Sequence, residues 1–431
     1  MAVTSVQPYW DLTFDASGDP DPRQRDALLG QAAGRTDLVV FSHGWNNDLS
    51  TASALYDRFF APFPALLAGR PDVRLGYAGV HWPSMRFSDE PIPDFPHLTA
   101  IAADPLAADI ATLKRVLPGH DDAADRIAEL LTQQPEDPAA LEEFAALVRT
   151  LTGCASPGAA LLAQDVGPGD TPPDLLTGDP ATACAELGDA LEGQALLGGL
   201  GSLGKKAWSG ARELLRQATY FAMKGRAGTV GRAGLGPLLG ELAGRAPGTR
   251  VHLVGHSFGA RLVSFALAGL PPGTRNVASV TLLQGAFSHS AYSPGGALAG
   301  MQARVRGPVV ACHSSHDQAL GVFYPIASRL AGDDRSLLGD ERWGALGHDG
   351  FHGLPGAPAL PLSAALAADL PASCVSVDAS AVVCAGGPPS GAHSDNCHAE
   401  LAALTLHEAT LRCPGVPPTF PRPGAGDCPL R

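Results

Sequence analysis

The chain is short of charge. Of its 431 residues 17% are Asp, Glu, Lys or Arg, and the 30 basic residues never gather into a long run. With a formal net charge of -13, it repels phosphate backbones and anionic membrane surfaces, so nucleic acid is not an expected partner. No uninterrupted apolar run approaches the ~18 residues of a membrane span. The opening stretch MAVTSVQPYWDLTFDASGD has no basic start, apolar core or small-residue cleavage site, and the expected location is the cytoplasm. None of the eight cysteines sits in a CxxC pair, which removes zinc-ribbon and thioredoxin-type spacings. Five of them lie beyond residue 370, a pattern that would suit disulfides in an exported protein; without an export signal they read as reduced, mostly buried thiols. No internal repeat is visible.

What the chain does have is apolar material, 45% of its residues, enough for a substantial core. Strand-like runs recur with helical stretches between them: DLVVFSH (37–43), RLGYAGVHW (74–82), RVHLVGH (250–256), VASVTLLQG (277–285), GPVVACHS (307–314) and SCVSVDASAVV (373–383). Such alternation predicts an α/β fold, a doubly wound and mostly parallel sheet. VQPYWDLTF near the start reads as an antiparallel edge strand.

About 160 residues between HWPSMRF and RVHLVGH break the alternation, far beyond the ~2–6 residues usual for such connections. The expected organisation is a core half over 1–90, a mainly helical insertion over 91–228 and a second core half over 229–431. AADRIAELLTQ and PAALEEFAALVRTL carry apolar residues at helical spacing. The last part of the insertion is apolar and locally basic, with Lys205, Lys206, Arg212, Arg216, Lys224, Arg226 and Arg232 against Glu213. It reads either as an amphipathic lid or as a cap packed on the core.

In VHLVGHSFGARLV, Ser257 stands between Gly255-His256 and Phe258-Gly259, as GxSxG. The string is short and the chain holds 51 glycines, so its setting carries the weight: a strand precedes it and a helix follows. A serine hydroxyl needs a base, an acid to orient that base, and donors for a developing oxyanion. Asp317 comes directly after the strand GPVVACHS, whereas its rivals Asp333 and Asp334 have no strand immediately before them. Past the last strand a Gly/Pro loop delivers His393 just ahead of a helix, with His398 as the next candidate. His348 and His352 precede that strand, His407 reads as helix surface, and Asp395 as a cap or loop anchor. A metal set of His393, Asp395, Cys397 and His398 fits no familiar ligand spacing, and neither metal nor cofactor is expected.

The order Ser257, Asp317, His393 resembles that of the α/β-hydrolase superfamily, in particular its bacterial esterase- and lipase-like members. The resemblance covers the strands on both sides of the insertion, about two thirds of the chain. It implies an oxyanion loop after DLVVFSHGW, with His43 as support, Gly44 allowing close approach, and the amides of Trp45 and Phe258 as donors. It departs from the HGGG form in having the bulky Trp45. The implied activity is hydrolysis of carboxylic esters, lipid or acyl esters among them, through an acyl-enzyme, with membrane contact only through the cap. An acyltransferase or thioesterase using the same residues, and a non-catalytic binding protein of the same fold, remain as alternatives.

Overall fold

The computed structural model describes residues 4–45, 47–85, 87, 104–152, 184, 203–320, 344–387 and 391–409. The chain divides into two compact units, one comprising the described residues up to 84 and from 226 onward, the other those between 85 and 225.

The first unit is built on a single eight-stranded sheet. Its strands are β1 (Tyr9–Thr13), β2 (Asp37–Ser42), β3 (Leu75–His81), β4 (Arg250–His256), β5 (Val277–Leu283), β6 (Val309–His313), β7 (Ala359–Pro361) and β8 (Cys374–Asp378). They lie in the order β1-β3-β2-β4-β5-β6-β8-β7, and every pairing is parallel. All residues of β2 and β3 are buried, which is why these segments read as continuous apolar runs rather than alternating ones. The Tyr9–Thr13 edge is parallel to β3, not antiparallel as expected from sequence. A helix, Pro22–Gln31, follows β1, and a helical return permits a parallel strand where a tight hairpin would not. The short edge strand β7 has no counterpart in the sequence reading.

One face of the sheet, including Val39, Phe41, Val254, Val310, Val375 and Val377, buries itself against helices Leu49–Phe60 and Ala399–Glu408. Leu49–Phe60 begins where the Asp48 carboxylate accepts the amides of Ser50 (2.9 Å) and Thr51 (2.8 Å). Its buried residues Ala52, Leu55, Tyr56, Phe59 and Phe60 fall at three- and four-residue spacing, so one stripe faces Phe41. Helix Phe258–Gly269 packs over β2, β4 and β5 and against the π-helical segment Val230–Leu235.

The second unit is helical: Pro105–Val116, Asp121–Gln133, Pro138–Thr152, and the part of Leu203–Thr229 before residue 226. Trp208 packs edge-on against Phe144 and donates its indole N–H to the Pro135 carbonyl (3.1 Å). Several of the cations expected on a basic face are engaged: Arg212 lies 3.4 Å from Asp109, Arg216 3.3 Å from Glu213, and Lys224 is buried. Among the described residues, no helix is long and apolar enough to cross a membrane.

Candidate active site

In a parallel sheet the loops after the strands collect at one edge. At the β2/β4 boundary they also leave in opposite directions, β2 toward β3 and β4 toward β5, the kind of switch point at which open α/β sheets place their ligands. Gly44 follows β2 there and Ser257 follows β4.

Ser257 is the N-cap residue of helix Phe258–Gly269, with φ 55° and ψ -120°. A non-glycine residue in this region carries strain of order 1–3 kcal/mol, which the surroundings must impose. Its amide donates to the Leu283 carbonyl (3.0 Å) and its carbonyl accepts the amides of Ala260 (3.1 Å) and Ala286 (3.2 Å). The flanking glycines are required by close approach. A Cβ on Gly259 would lie 2.0 Å from the Ser42 carbonyl oxygen, and one on Gly255 2.4 Å from that of Gly259. Ser257 is only 6% exposed. Gly44 packs directly on it, so close that an added Cβ would stand 2.6 Å from Ser257 Cβ and 3.2 Å from Oγ.

The His393 ring connects two remote segments. Its Nε2 lies 2.9 Å from Ser257 Oγ and its Nδ1 2.8 Å from Asp317 Oδ2. Asp317 is fully buried, and its other oxygen accepts the Leu320 amide (3.0 Å). The loops carrying the imidazole and the carboxylate are stitched together: Asp317 bridges Gly391, and the Ala392 amide donates to the His316 carbonyl (2.9 Å). From the other side His256 Nε2 donates to the His393 carbonyl (2.8 Å). Burial pushes the His256 pKa down to about 3, with His393 nearby adding to the effect, so this ring is neutral and its Nε2 carries the proton. Asp395 accepts the amides of Cys384 (2.9 Å) and Ala385 (2.8 Å) and pairs with His398 Nε2 (2.7 Å), anchoring the loop two residues past His393.

The loop after β2 is held by buried aromatic groups. His43 Nδ1 donates to the Gly44 carbonyl (2.8 Å), and the ring stacks on Trp82 at 5.5 Å, whose indole N–H donates to the His43 carbonyl (3.0 Å). Burial pushes His43 also down to about 3. The His43 amide donates to Tyr56 Oη (2.9 Å), which in turn donates to the Val80 carbonyl. The sequence reading missed Tyr56 and Trp82; the pairing of HW at the end of β3 with HGW at the end of β2 was the available signal. Trp45 lies with its ring 6.1 Å from that of Phe258.

Other candidates fall elsewhere. His398 is the N-cap of helix Ala399–Glu408, His407 faces the Ala368 carbonyl, and His352 pairs with Asp349. Asp333 and Asp334 lie outside the described residues. His393 uses both nitrogens on Ser257 and Asp317, so His393, Asp395, Cys397 and His398 do not converge as a ligand set. Of the described cysteines, Cys184, Cys312, Cys374 and Cys384 are buried and Cys397 is half-buried.

Comparison with models of known protein families, with curated proteins and with solved structures returns no match for this chain. The chemistry must therefore be argued from the site. A buried serine and a buried carboxylate, joined by a partly exposed imidazole in hydrogen-bonded series, suit transfer of a proton from hydroxyl to ring, with the carboxylate stabilising the imidazolium.

A second string of the same residue types runs elsewhere. His252 Nδ1 lies 2.9 Å from Ser279 Oγ and its Nε2 3.0 Å from Asp37 Oδ1, all three fully buried. Its members sit within β2, β4 and β5 rather than past their ends.

Proposed function

We propose that the chain is a serine hydrolase of the α/β-hydrolase type, acting on carboxylic esters. The observation that carries this reading is the bridging of Ser257 Oγ and Asp317 by one imidazole, at 2.9 and 2.8 Å, beside a strained turn at a helix N-terminus. Ser257 Oγ attacks the ester carbonyl carbon while its proton passes to His393 Nε2. Asp317 accepts from Nδ1–H and stabilises the imidazolium. The tetrahedral oxyanion is held by the amides of Phe258, in the first turn of the helix, and Trp45, after Gly44; each such donor is worth about 3 kcal/mol. Collapse breaks the bond to the leaving alkoxide, which takes the proton from His393. Water, deprotonated by the same ring, then releases the acid from Ser257.

Two features support this assignment. His43 and His256 border the site as neutral rings, so neither places a positive charge against the imidazolium formed in the first step. The near-burial of Ser257 puts the proton transfer in a medium of low dielectric, where oriented donors act most strongly. In this reading the helical residues of the second unit are an insertion in the chain of such an enzyme.

A fluorophosphonate probe tests the proposal. Labelling of the wild type that vanishes in Ser257→Ala, together with ester hydrolysis lost in the same variant, is the expected result. A well-folded wild type that neither labels nor hydrolyses short-chain esters would refute it and leave a binding role. Product analysis with added alcohols separates hydrolysis from acyl transfer.

A further inference from the structure

A second cluster of side chains lies at the carboxyl edge of the sheet, outside the hydrogen bonds of Ser257. His289 follows β5, while Asp349 and His352 belong to the segment that starts at Gly344. The backbone ties the two together: the His289 amide donates to the Gly344 carbonyl (3.1 Å) and the His352 amide to the His289 carbonyl (3.0 Å). The two imidazoles stack at 3.9 Å, within 8° of parallel. His289 Nδ1 is 3.1 Å from each Asp349 oxygen, and His352 Nε2 is 3.3 Å from Oδ2. One donor atom from each residue falls within 4.8 Å of the others.

The 3.3 Å from His352 Nε2 to Asp349 Oδ2 equals the edge of a tetrahedron of N and O ligands around an ion at ~2.0–2.1 Å, about 3.3 Å, and the 3.1 Å from His289 Nδ1 to the same carboxylate lies close to it. Gly344 adds an independent observation. A Cβ there would stand 2.4 Å from His289 Nδ1 and 3.0 Å from Asp349 Oδ2, so only glycine leaves the space between those two atoms open. His289 is buried, while the side chains of Asp349 and His352 keep 35% and 37% of their surface, which gives an ion a way in and a solvent-facing fourth position.

We propose that His289 Nδ1, Asp349 and His352 Nε2 bind a divalent transition-metal ion, zinc by ligand type, with water in the fourth position; the half-exposed His352 ring turns out of its stack on the buried His289 so that each nitrogen meets the ion in its own ring plane. Two imidazoles and one carboxylate favour such an ion over calcium or magnesium, which prefer all-oxygen sets. The ion would cross-link the segment after β5 to the one beginning at Gly344, and the assignment stands whether or not Ser257 is a nucleophile.

The test uses the full chain, freed of metal with dipicolinate, titrated with Co²⁺ and then competed with Zn²⁺. One equivalent of Co²⁺ with the intense visible bands of a four-coordinate site, displaced by Zn²⁺, is expected. Outer-shell changes alone typically cost ~10–100-fold in metal affinity, so His352→Gln and Asp349→Asn should weaken binding by about 100-fold or more, and His407→Gln should leave it unchanged. Gly344→Ala, which keeps all three ligands and fills the space between them, should also lose the bands. Circular dichroism of the metal-free variants checks folding, and any one folded variant suffices to decide. Absence of four-coordinate bands in the wild type, or their survival in the folded ligand variants, would overturn the assignment.

Discussion

Gly44→Ala places one methyl group against the hydroxyl proposed to react. The new Cβ would stand 2.6 Å from Ser257 Cβ and 3.1 Å from the His256 carbonyl oxygen. Ordinary carbon–carbon contact begins near 3.5 Å, so about 1 Å of separation must be found. Ser257 Cβ is one bond from a backbone fixed at φ 55°, and cannot swing aside as the tip of a long side chain could. If the serine yields, its 2.9 Å hydrogen bond to His393 stretches past the hydrogen-bonding range. A misplacement of about 1 Å is worth roughly 100-fold in rate, near 2.7 kcal/mol of barrier. If the loop after β2 yields instead, the Trp45 amide leaves its place, and loss of one oxyanion donor costs about 10²–10³-fold. Both routes lead to a fall of at least about two orders of magnitude, with ~1–3 kcal/mol of stability lost to overpacking. The rate of fluorophosphonate labelling and kcat/KM on a short-chain ester measure the effect, and a thermal melt checks that the variant is folded. A folded Gly44→Ala that labels within a few-fold of the wild type would refute the close apposition of Gly44 and Ser257 as a condition of reactivity.

Asp317→Asn should lower kcat about 10⁴-fold, because an amide can hold the wrong imidazole tautomer, and adding it to Ser257→Ala should cost almost nothing more; a loss of tenfold or less would remove Asp317 from its role. His43 and His256 sit at about 3 in the folded chain against 6.5 for an ordinary histidine. Between those values the unfolded chain binds protons that the folded chain refuses, so stability is full above pH 6.5 and falls as pH drops toward 3. At ~1.4 kcal/mol per unit each, the pair removes about 4 kcal/mol by pH 5. Urea unfolding at pH 7.5 and 5 should show this, with about half of it gone in His256→Gln; an unchanged difference would contradict the burial argument. Ser279→Ala should leave probe labelling intact and cost about 1 kcal/mol of stability, and lost labelling in a folded variant would make the second Ser-His-Asp string the reactive one.

Much of the architecture is legible because a parallel sheet buried on both faces writes itself as uninterrupted aliphatic runs, as in DLVVFS and LGYAGVH. The direction of Tyr9–Thr13 is not legible, since its pairing with β3 joins residues nearly seventy positions apart. Nor is β7, three residues ending in a proline. At the site, Ser257, Asp317 and His393 are readable because each follows a strand, and a common sheet edge is what such positions share. The supports are harder to read. The bond from His256 to the His393 carbonyl spans 137 positions, and Tyr56 looks in sequence like one more apolar residue of a helix stripe. HDGFH displays Asp349 and His352 at close spacing, but nothing in the sequence brings His289 to them.

Under the proposed function the two Ser-His-Asp strings differ in role although they share the same hydrogen-bond order. Distances hardly separate them: 2.9 and 2.8 Å for Ser257, His393 and Asp317, 2.9 and 3.0 Å for Ser279, His252 and Asp37. Position in the sheet does. Ser279 lies inside the ladder, paired with His252 in the β4–β5 register, so the surrounding amides are committed to strand hydrogen bonds and none can turn to an oxyanion. Asp37 is further committed to Arg250 at 2.7 Å; although burial alone would raise its pKa, the bonds from His252 and Arg250 bring it down to about 2, as expected of a structural ion pair. Ser257 stands one residue past its strand, where the helix begins and the dipole and first-turn amides favour negative charge. The side chain of His393 keeps 16% of its surface, while His252 keeps none, so only the former can pass a proton to a departing alcohol. A probe that labelled Ser279 in preference to Ser257 would show that this topological criterion had been given the wrong weight.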